Sequence, residues 1–206
     1  MDQSLEQLDA VALASVSPRR RELLASLGLR VEIVSSTYIE QPLPGISPAE
    51  LAMAHARGKA AGAAASDHLI IAADTVVDCN GVALGKPADR AEAKAMIEKL
   101  SGREHFVHTA FALRSDLRGR TISHRETTRV HFANLDPETI EAYAASGDGL
   151  DKAGAYGIQG FAATLVDRID GDYFTVVGFP LAAFAQALPR LGYRLLPQTR
   201  FAKVPA

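Results

Sequence analysis

The sequence contains no tryptophan, one cysteine and only 6% aromatic residues among its 206 residues. A single cysteine, Cys79, excludes an intramolecular disulfide, and no Cys/His cluster has the spacing of a structural zinc site. Both absences are typical of a metal-independent fold in a reducing compartment, so we expect a cytoplasmic protein. The shortage of aromatic side chains also argues against a platform that stacks single-stranded nucleic acid.

Neither sign of charge is in excess, because 22 Lys and Arg residues stand against 24 Asp and Glu residues, for a net charge of -2. Such a chain supplies no overall positive field for a nucleic acid backbone, and nucleic acid is therefore not an expected partner. No apolar run approaches the ~20 residues of a membrane span, and the acidic, polar N-terminus is unlike an export signal. We expect neither a membrane partner nor export.

The length and the 48% apolar content are sufficient for a hydrophobic core that needs no disulfides. Hydrophobic periodicity, caps and turn residues predict a mixed α/β fold, with helices on both faces of one sheet. Strands are predicted over residues 11–14, 31–34, 69–77, 82–84, 106–113, 121–132 and 164–169. Helices are predicted over residues 18–28, 48–65, 90–100, 137–145 and 179–191.

Three consecutive cations, Arg19 to Arg21, follow Ser17 and Pro18 at the start of the first predicted helix. A helix N-terminus already carries positive potential and unpaired N–H groups, so cations are disfavoured there unless an anion binds, and phosphate is the natural anion. The alternative is that arginines on a surface helix simply face solvent. The run by itself leaves both interpretations open.

Asp74 and Thr75 interrupt the apolar strand that is predicted over residues 69–77. Open α/β sheets place catalytic side chains where such strands end. A carboxylate buried there persists if it binds a cation, accepts several hydrogen bonds or acts as a general base. The alternative is that the strand has already ended and Asp74 is a turn residue, although Val76 and Val77 continue the apolar run.

The segment from Gly81 to Lys86 resembles a phosphate-binding P-loop only in part. Three residues rather than four separate its glycines, and Pro87 stands where that loop requires Ser or Thr. The chain also lacks a Gly-x-Gly-x-x-Gly motif, so neither a P-loop nor a dinucleotide-binding Rossmann site is predicted. Lys86, and Lys59 on the second predicted helix, are candidate phosphate-binding cations or else solvated surface lysines.

Five glycines fall within residues 147–160, interleaved with Tyr156 and Gln159. Glycine allows the backbone to approach a ligand closely, and the Gln159 amide can both donate to and accept from the edge of a base. A loop with a purely structural role would not require this combination. Glu40 is an isolated acid before a proline-rich loop, and by itself it is more typical of a solvated residue.

Together these segments resemble the Maf family of nucleotide pyrophosphatases, also described as septum-formation-inhibitor or Maf-like proteins. The resemblance runs from Val11 to about Leu196, and its motifs are residues 13–20, 59–60, 73–77, 85–87, 100–102, 151–160 and 177–180. It implies an elongated α/β fold like that of inosine triphosphate pyrophosphatases, with a mixed sheet flanked by helices and a deep cleft between two lobes. It also implies one Maf-like domain over residues 1–206, in which residues 1–10 and 197–206 form peripheral tails.

The resemblance implies a reaction as well, in which a nucleoside triphosphate and water give the monophosphate and pyrophosphate. It implies a divalent cofactor, Mg²⁺ or Mn²⁺, and a homodimer. Asp74 resembles the proton acceptor of the family, and Arg19, Thr75 and Gln159 resemble its specificity residues. The other matching positions are the substrate-binding residues Ser15, Arg20, Lys59 and Lys86, and the metal-binding residues Glu40 and Asp74.

Thr75 and the stretch from Tyr156 to Gly160 resemble the branch of the family that hydrolyses dTTP and UTP. The branch that acts on 7-methyl-GTP carries Gln after the catalytic Asp, which makes that substrate the enzymatic alternative. The chain departs from the family where Thr37 to Glu40 replaces Asp-x-Asp-Glu. This loss of acids keeps a second alternative open, a nucleotide-binding regulator of septum formation with little turnover.

Overall fold

The computed structural model of this chain describes residues 5–197. Its strands are β1 (Glu6–Gln7), β2 (Ala10–Leu13), β3 (Arg30–Ile33), β4 (Leu69–Cys79), β5 (Val82–Leu84), β6 (Glu104–Ser115), β7 (Arg120–Phe132), β8 (Val166–Asp170) and β9 (Tyr193–Arg194). Its α-helices are α1 (Pro18–Ser26), α2 (Pro48–Ala61), α3 (Arg90–Leu100), α4 (Pro137–Ser146), α5 (Tyr173–Val177) and α6 (Leu181–Ala187). Short 3₁₀ turns cover Ala153–Ala155, Gly160–Leu165 and Leu188–Leu191. The predicted mixed α/β architecture is confirmed.

A seven-stranded sheet in the order β3-β2-β4-β6-β7-β8 forms the centre of the molecule, with β5 paired to β4. The strands β3, β2 and β4 are parallel, whereas β4, β6, β7 and β8 are antiparallel. Parallel pairing of β2 with β4 ends at Ile71, and β5 pairs with β4 from Val77 onward. Within residues 5–197, the stretch 72–76 therefore has a strand partner, β6, on one side only.

Apolar side chains cover both faces of β4 and β6. On one face, the α3–α4 cluster contains Ile97 and Tyr143, and the α1–α6 cluster contains Leu24 and Phe184. On the other face, the alanine-rich α2 packs against the sheet through small side chains such as Ala60. Small residues let the helix backbone approach the sheet closely, which brings α2 side chains near β4.

Several predicted boundaries move. Asp74 does not end its strand, because β4 continues to Cys79. The last strand begins at Val166 rather than Thr164, since the Thr164 hydroxyl donates to the Phe161 carbonyl at 2.8 Å and supports a local turn instead. The last helix stops being α-helical after Ala187, because proline at position 189 lacks the N–H that the next α-helical bond requires.

The second predicted helix ends at Ala61 instead of residue 65. Residues 5–10, expected to belong to a peripheral tail, contribute to the fold instead. There β1 pairs with β9, and Leu8 is buried in the α1–α6 cluster. Residues 1–4 and 198–206 of the two expected tails lie outside the described residues. Among residues 5–197, no helix is both long and apolar enough to cross a membrane.

Candidate active site

Asp74 and Thr75 point to opposite faces of β4, because successive side chains of a strand alternate. Asp74 is 7% exposed and faces α2, while Thr75 faces α1 and the cross-strand neighbour Thr109. Both lie just beyond Ile71, where the parallel pairing with β2 ends. These residues were expected at the end of a buried apolar strand, but β4 continues to Cys79, and what ends before them is its pairing with β2.

Lys59 of α2 bridges two carboxylates. Its Nζ atom lies 2.7 Å from Asp74 Oδ1 and 2.8 Å from Glu40 Oε1. The Lys59 and Asp74 side chains are only 14% and 10% exposed, so their opposite charges compensate each other in a poorly hydrated place. Burial acts to raise the pKa of Glu40, but the hydrogen bond and charge of Lys59 outweigh it and hold that pKa below its ordinary value.

The two carboxylates offer oxygen ligands of the kind that Mg²⁺ and Mn²⁺ prefer. Within residues 5–197, no group of three or more His, Cys, Asp or Glu side chains could form a complete metal cage. Mg²⁺ is commonly held by one or two carboxylates together with substrate phosphates and waters. Glu40 and Asp74 fit that kind of partial site, in which the nucleotide supplies further ligands.

Arg20 occupies the opposite face of β4 and is 8% exposed. Its guanidinium donates to Thr75 Oγ1 at 3.0 Å, to Ser15 Oγ at 3.2 Å and to the Gly178 carbonyl at 2.9 Å. Burial lowers the pKa of Arg20, and the charge of Asp74 opposes that shift. A guanidinium fixed by three partners is a rigid cation within the site.

Three threonines extend this arrangement into a directed hydrogen-bond chain. Thr75 Oγ1 lies 3.0 Å from Thr109 Oγ1, and Thr109 Oγ1 donates to the Thr175 carbonyl at 2.7 Å. A hydroxyl has one proton, so Thr109 must accept the proton of Thr75. Since Thr75 also accepts from Arg20, only a lone pair of its oxygen is left for a further partner.

At the N-terminus of α1, Pro18 occupies the first turn as predicted, but the Ser17 side chain makes no capping hydrogen bond. The basic first turn is therefore not neutralised from within the helix. Arg19 instead donates to Asp151 Oδ2 at 3.0 Å, and Lys152 lies 2.8 Å from Asp151 Oδ1. Burial acts to raise the pKa of Asp151, but Lys152 and Arg19 hold it below its ordinary value.

Apart from the fully buried Thr109 and Thr175, these groups line one cleft of about 1020 Å³, large enough for a nucleotide. Lys86 and Gln159 are exposed in its wall, and Lys86 adds a charge that lowers the pKa of Glu40 further. Nine candidate residues line this cleft, namely Ser15, Arg19, Arg20, Glu40, Lys59, Asp74, Thr75, Lys86 and Gln159. Arg21, the third cation of the run in α1, is not among the residues that line it. The structure thus brings these nine residues together in one cleft.

Other residues of the site were not predicted individually. Tyr38 and His55 line the cleft, and His55 lies one helical turn before Lys59 on the same face of α2, which is a usable signal. Asp151 lies in the predicted glycine-rich segment but had no assigned role. Thr109 could be found only from the register of β4 and β6, which places it opposite Thr75.

The family described as "Maf-like protein" matches residues 10–191. A dTTP/UTP pyrophosphatase from Moorella thermoacetica is 48% identical over 189 residues, covering 90% of this chain and 96% of that protein. A dTTP/UTP pyrophosphatase from Geobacter sulfurreducens is 46% identical over 184 residues, covering 88% of this chain and 96% of that protein. A solved HAM1 protein structure from Coxiella burnetii aligns with 90% of this chain and 97% of that chain, at 17% identity and a TM-score of 0.45.

Proposed function

We propose that this chain, which belongs to the Maf-like protein family, hydrolyses dTTP and UTP to the corresponding monophosphate and pyrophosphate. The observation that carries the proposal is the bridge from Asp74 through Lys59 to Glu40, which faces a cleft of nucleotide size. Relatives that are 43% and 48% identical over 89% and 90% of this chain bear the name dTTP/UTP pyrophosphatase, which supports the same substrate class.

In the proposed reaction, water attacks the α-phosphorus, and the bond from that phosphorus to the oxygen bridging the α- and β-phosphates breaks. Asp74 accepts the proton of the water, and Lys59 holds the Asp74 side chain in position through the 2.7 Å contact. Arg19, Arg20 and Lys86 neutralise charge on the triphosphate and on the departing pyrophosphate. Binding of phosphate by Arg19 would replace its contact with Asp151.

Mg²⁺ or Mn²⁺ is the proposed cofactor, and Glu40 and Asp74 would hold it. When bound, a divalent cation neutralises phosphate charge and polarises the phosphoryl group. The Lys59 ammonium lies between the same two carboxylates and reduces the net negative charge of the site. This reduction weakens the repulsion between the site and a bound triphosphate.

The first experiment incubates the protein with Mg²⁺ or Mn²⁺ and each of dTTP, UTP, CTP, GTP and 7-methyl-GTP, followed by chromatography of the products. We expect monophosphate and pyrophosphate from dTTP and UTP. Asp74→Asn should lower turnover by ~10² to 10⁴, because a positioned proton acceptor typically contributes that much. Wild-type turnover in Asp74→Asn contradicts the role of Asp74 as proton acceptor. Products from 7-methyl-GTP alone support a 7-methyl-GTP pyrophosphatase instead. Nucleotide binding without any product supports a nucleotide-binding regulator.

For base selection we propose Thr75 and Gln159. The directed chain through Thr109 leaves Thr75 an acceptor, and thymine and uracil present an N3–H donor where cytosine presents an acceptor. Thr109→Val frees the Thr75 proton, so the ratio of kcat/KM for CTP to that for UTP should rise, by about 10-fold. Thr109→Ser keeps the acceptor and should keep the ratio, whereas an unchanged ratio in Thr109→Val contradicts this role.

We propose a cytoplasmic homodimer as the working form. A buried, unpaired Cys79 fits a reducing compartment. Light scattering of the purified protein measures the assembly, and a monomer at micromolar concentration would contradict it.

A further inference from the structure

The segment that carries Glu40 is attached to α2 by Tyr38. The Tyr38 hydroxyl lies 2.9 Å from His55 Nδ1, and the two rings contact each other in a tilted arrangement with centroids 5.8 Å apart. His55 is 6% exposed, so this contact forms at a buried position of the helix. This hydrogen bond fixes one position of the segment, because leaving the buried His55 ring without a partner would be costly.

The helix surface under Tyr38 is shaped for its ring. A Cβ atom at Gly58 would lie 2.2 Å from a ring carbon, a distance that the seated ring cannot accommodate. At Gly62, the helix end accepts the Thr37 N–H at 2.9 Å, and a Cβ there would lie 2.9 Å from the Tyr38 nitrogen. Both glycines have ordinary backbone angles, so they provide room rather than conformational freedom.

The two residues joined by this contact lie close in sequence to Glu40 and Lys59, whose side chains are also in contact. Glu40 follows Tyr38 by two residues, and Lys59 follows His55 by one helical turn. The Glu40 carboxylate is 54% exposed, so packing around it does little to fix its position. Its 2.8 Å contact with Lys59 is therefore expected to depend on how the contact of Tyr38 with α2 holds the backbone of the segment.

We propose that Tyr38 and His55 are a positioning pair, which holds Glu40 against Lys59 and acts on the reaction through Glu40. The proposal rests on the proposed function, since it concerns the same site. It predicts that losing the pair costs activity only while Glu40 is present, which a merely structural contact would not do.

A double-mutant cycle tests this dependence. Tyr38→Phe keeps the ring and removes the hydroxyl, and it should lower kcat/KM for UTP by about 10-fold, as loss of a supporting hydrogen bond commonly does. In a Glu40→Gln background the same change should cost less than about 2-fold, because the coupled group is already lost. Equal losses in both backgrounds would overturn the proposal.

His55 and Gly58 provide matched variants. His55→Leu should reproduce the loss of Tyr38→Phe, and His55→Asn, whose amide lies close to the position of Nδ1, should restore much of it. Gly58→Ala retains every polar group and favours the helix, but its Cβ atom occupies the space of the Tyr38 ring. We expect it to lose activity with only a small change in melting temperature, because the gain in helix propensity offsets the lost contact with His55. Full activity in Gly58→Ala contradicts the inference.

The same double-mutant cycle is then measured as binding. Calorimetry gives the dissociation constant of each protein for α,β-imido-dUTP in the presence of Mg²⁺. This readout requires no turnover, so it separates the two proposals. If wild type binds the analogue but hydrolyses neither UTP nor dTTP, the proposed function fails, and coupling between positions 38 and 40 in the binding cycle still decides the inference. Additive effects on both kcat/KM and binding would overturn it.

Discussion

The buried His105 connects the core to the cleft through its contact with Tyr156. His105 of β6 is 1% exposed, and its Nε2 atom lies 2.7 Å from the Tyr156 hydroxyl. Its ring meets Phe132 and Tyr156 edge-on, with centroids 5.1 and 5.4 Å away. Burial, with a smaller contribution from the charge of His131, lowers the pKa of His105 from 6.5 to about 4. The folded protein therefore requires a neutral imidazole beneath the segment that carries Gln159.

Stability should consequently fall in acid. Between about pH 6.5 and pH 4 the unfolded chain binds a proton at His105 that the folded chain does not, so stability rises with pH across this window and is lost as the pH falls. From pH 7.5 to pH 5 the loss is on the order of 2 kcal/mol. Urea unfolding measures it, and His105→Gln, which keeps a polar partner for Tyr156 without titrating, should show a smaller loss. Equal losses in both proteins would contradict the assignment.

An arginine of the central sheet caps the C-terminal end of helix α2. Arg114 of β6 donates through its two Nη atoms to the carbonyls of Ala60, Ala61, Ala63 and Ala64. Asp116 holds the guanidinium in place at 2.8 Å. Ala60 and Ala61 belong to the last turn of α2, where carbonyls have no α-helical N–H partner, and Ala63 and Ala64 follow the helix. A cation at the C-terminus also interacts favourably with the helix dipole. Arg114 therefore sets the end of the helix that carries Lys59, four residues earlier than the composition of the segment predicts.

Removing this cap should destabilise the protein. Arg114→Ala is expected to lower the free energy of unfolding by about 2 kcal/mol, since hydrogen bonds to a charged group are lost and carbonyls are left unpaired. Arg114→Lys should recover only part of the loss, because one ammonium cannot reproduce the planar fork. Exposed Arg120 at the start of β7 provides a control whose replacement by Ala should change stability little. Denaturant titration that cannot distinguish Arg114→Ala from Arg120→Ala would refute the capping role.

Elements with strong local signals were predictable from the sequence. The helices predicted to begin at residues 48 and 137 do so, because Ser47 and Glu50 form a capping box and Asp136 caps α4. Boundaries that depend on groups distant in sequence were not predictable. The clearest case is the end of α2, which Arg114 of β6 caps earlier than predicted. The site shows the same division. Residue types indicated a phosphate-binding cleft, whereas the pairing of Thr75 with Thr109 depends on sheet register and that of Tyr38 with His55 on the path of a loop.

At the scale of the molecule, the polar residues of β4 divide the apolar packing on both faces of the sheet. On one face, Thr75 and Thr109 separate the α1–α6 cluster from the α3–α4 cluster. On the other, Asp74 lies between the small side chains of Ala72 and Val76, which belong to different clusters. The cleft thus lies where the packing changes from one cluster to the next.

We propose that residues 5–197 nevertheless unfold as one unit, because β4 and β6 run without interruption through both large clusters. Ile97→Ala in the α3–α4 cluster and Leu188→Ala in the α1–α6 cluster should each cost roughly 2 to 5 kcal/mol. Both should shift one transition in urea, followed by circular dichroism, with its slope unchanged. A second transition in either variant would indicate two independent domains.

The one-sided pairing of residues 72–76 also bears on the solubility of the protein. Backbone groups at an exposed strand edge attract strands of other chains, and this is a common route to aggregation. Here β2 ends at one side of the gap and β5 begins at the other, so the open edge is only five residues long and both of its ends are blocked. A strand from another molecule could not extend along it, whereas a compact ligand could reach it. The chain can therefore keep main-chain groups available beside Asp74 without offering a template for intermolecular sheet growth.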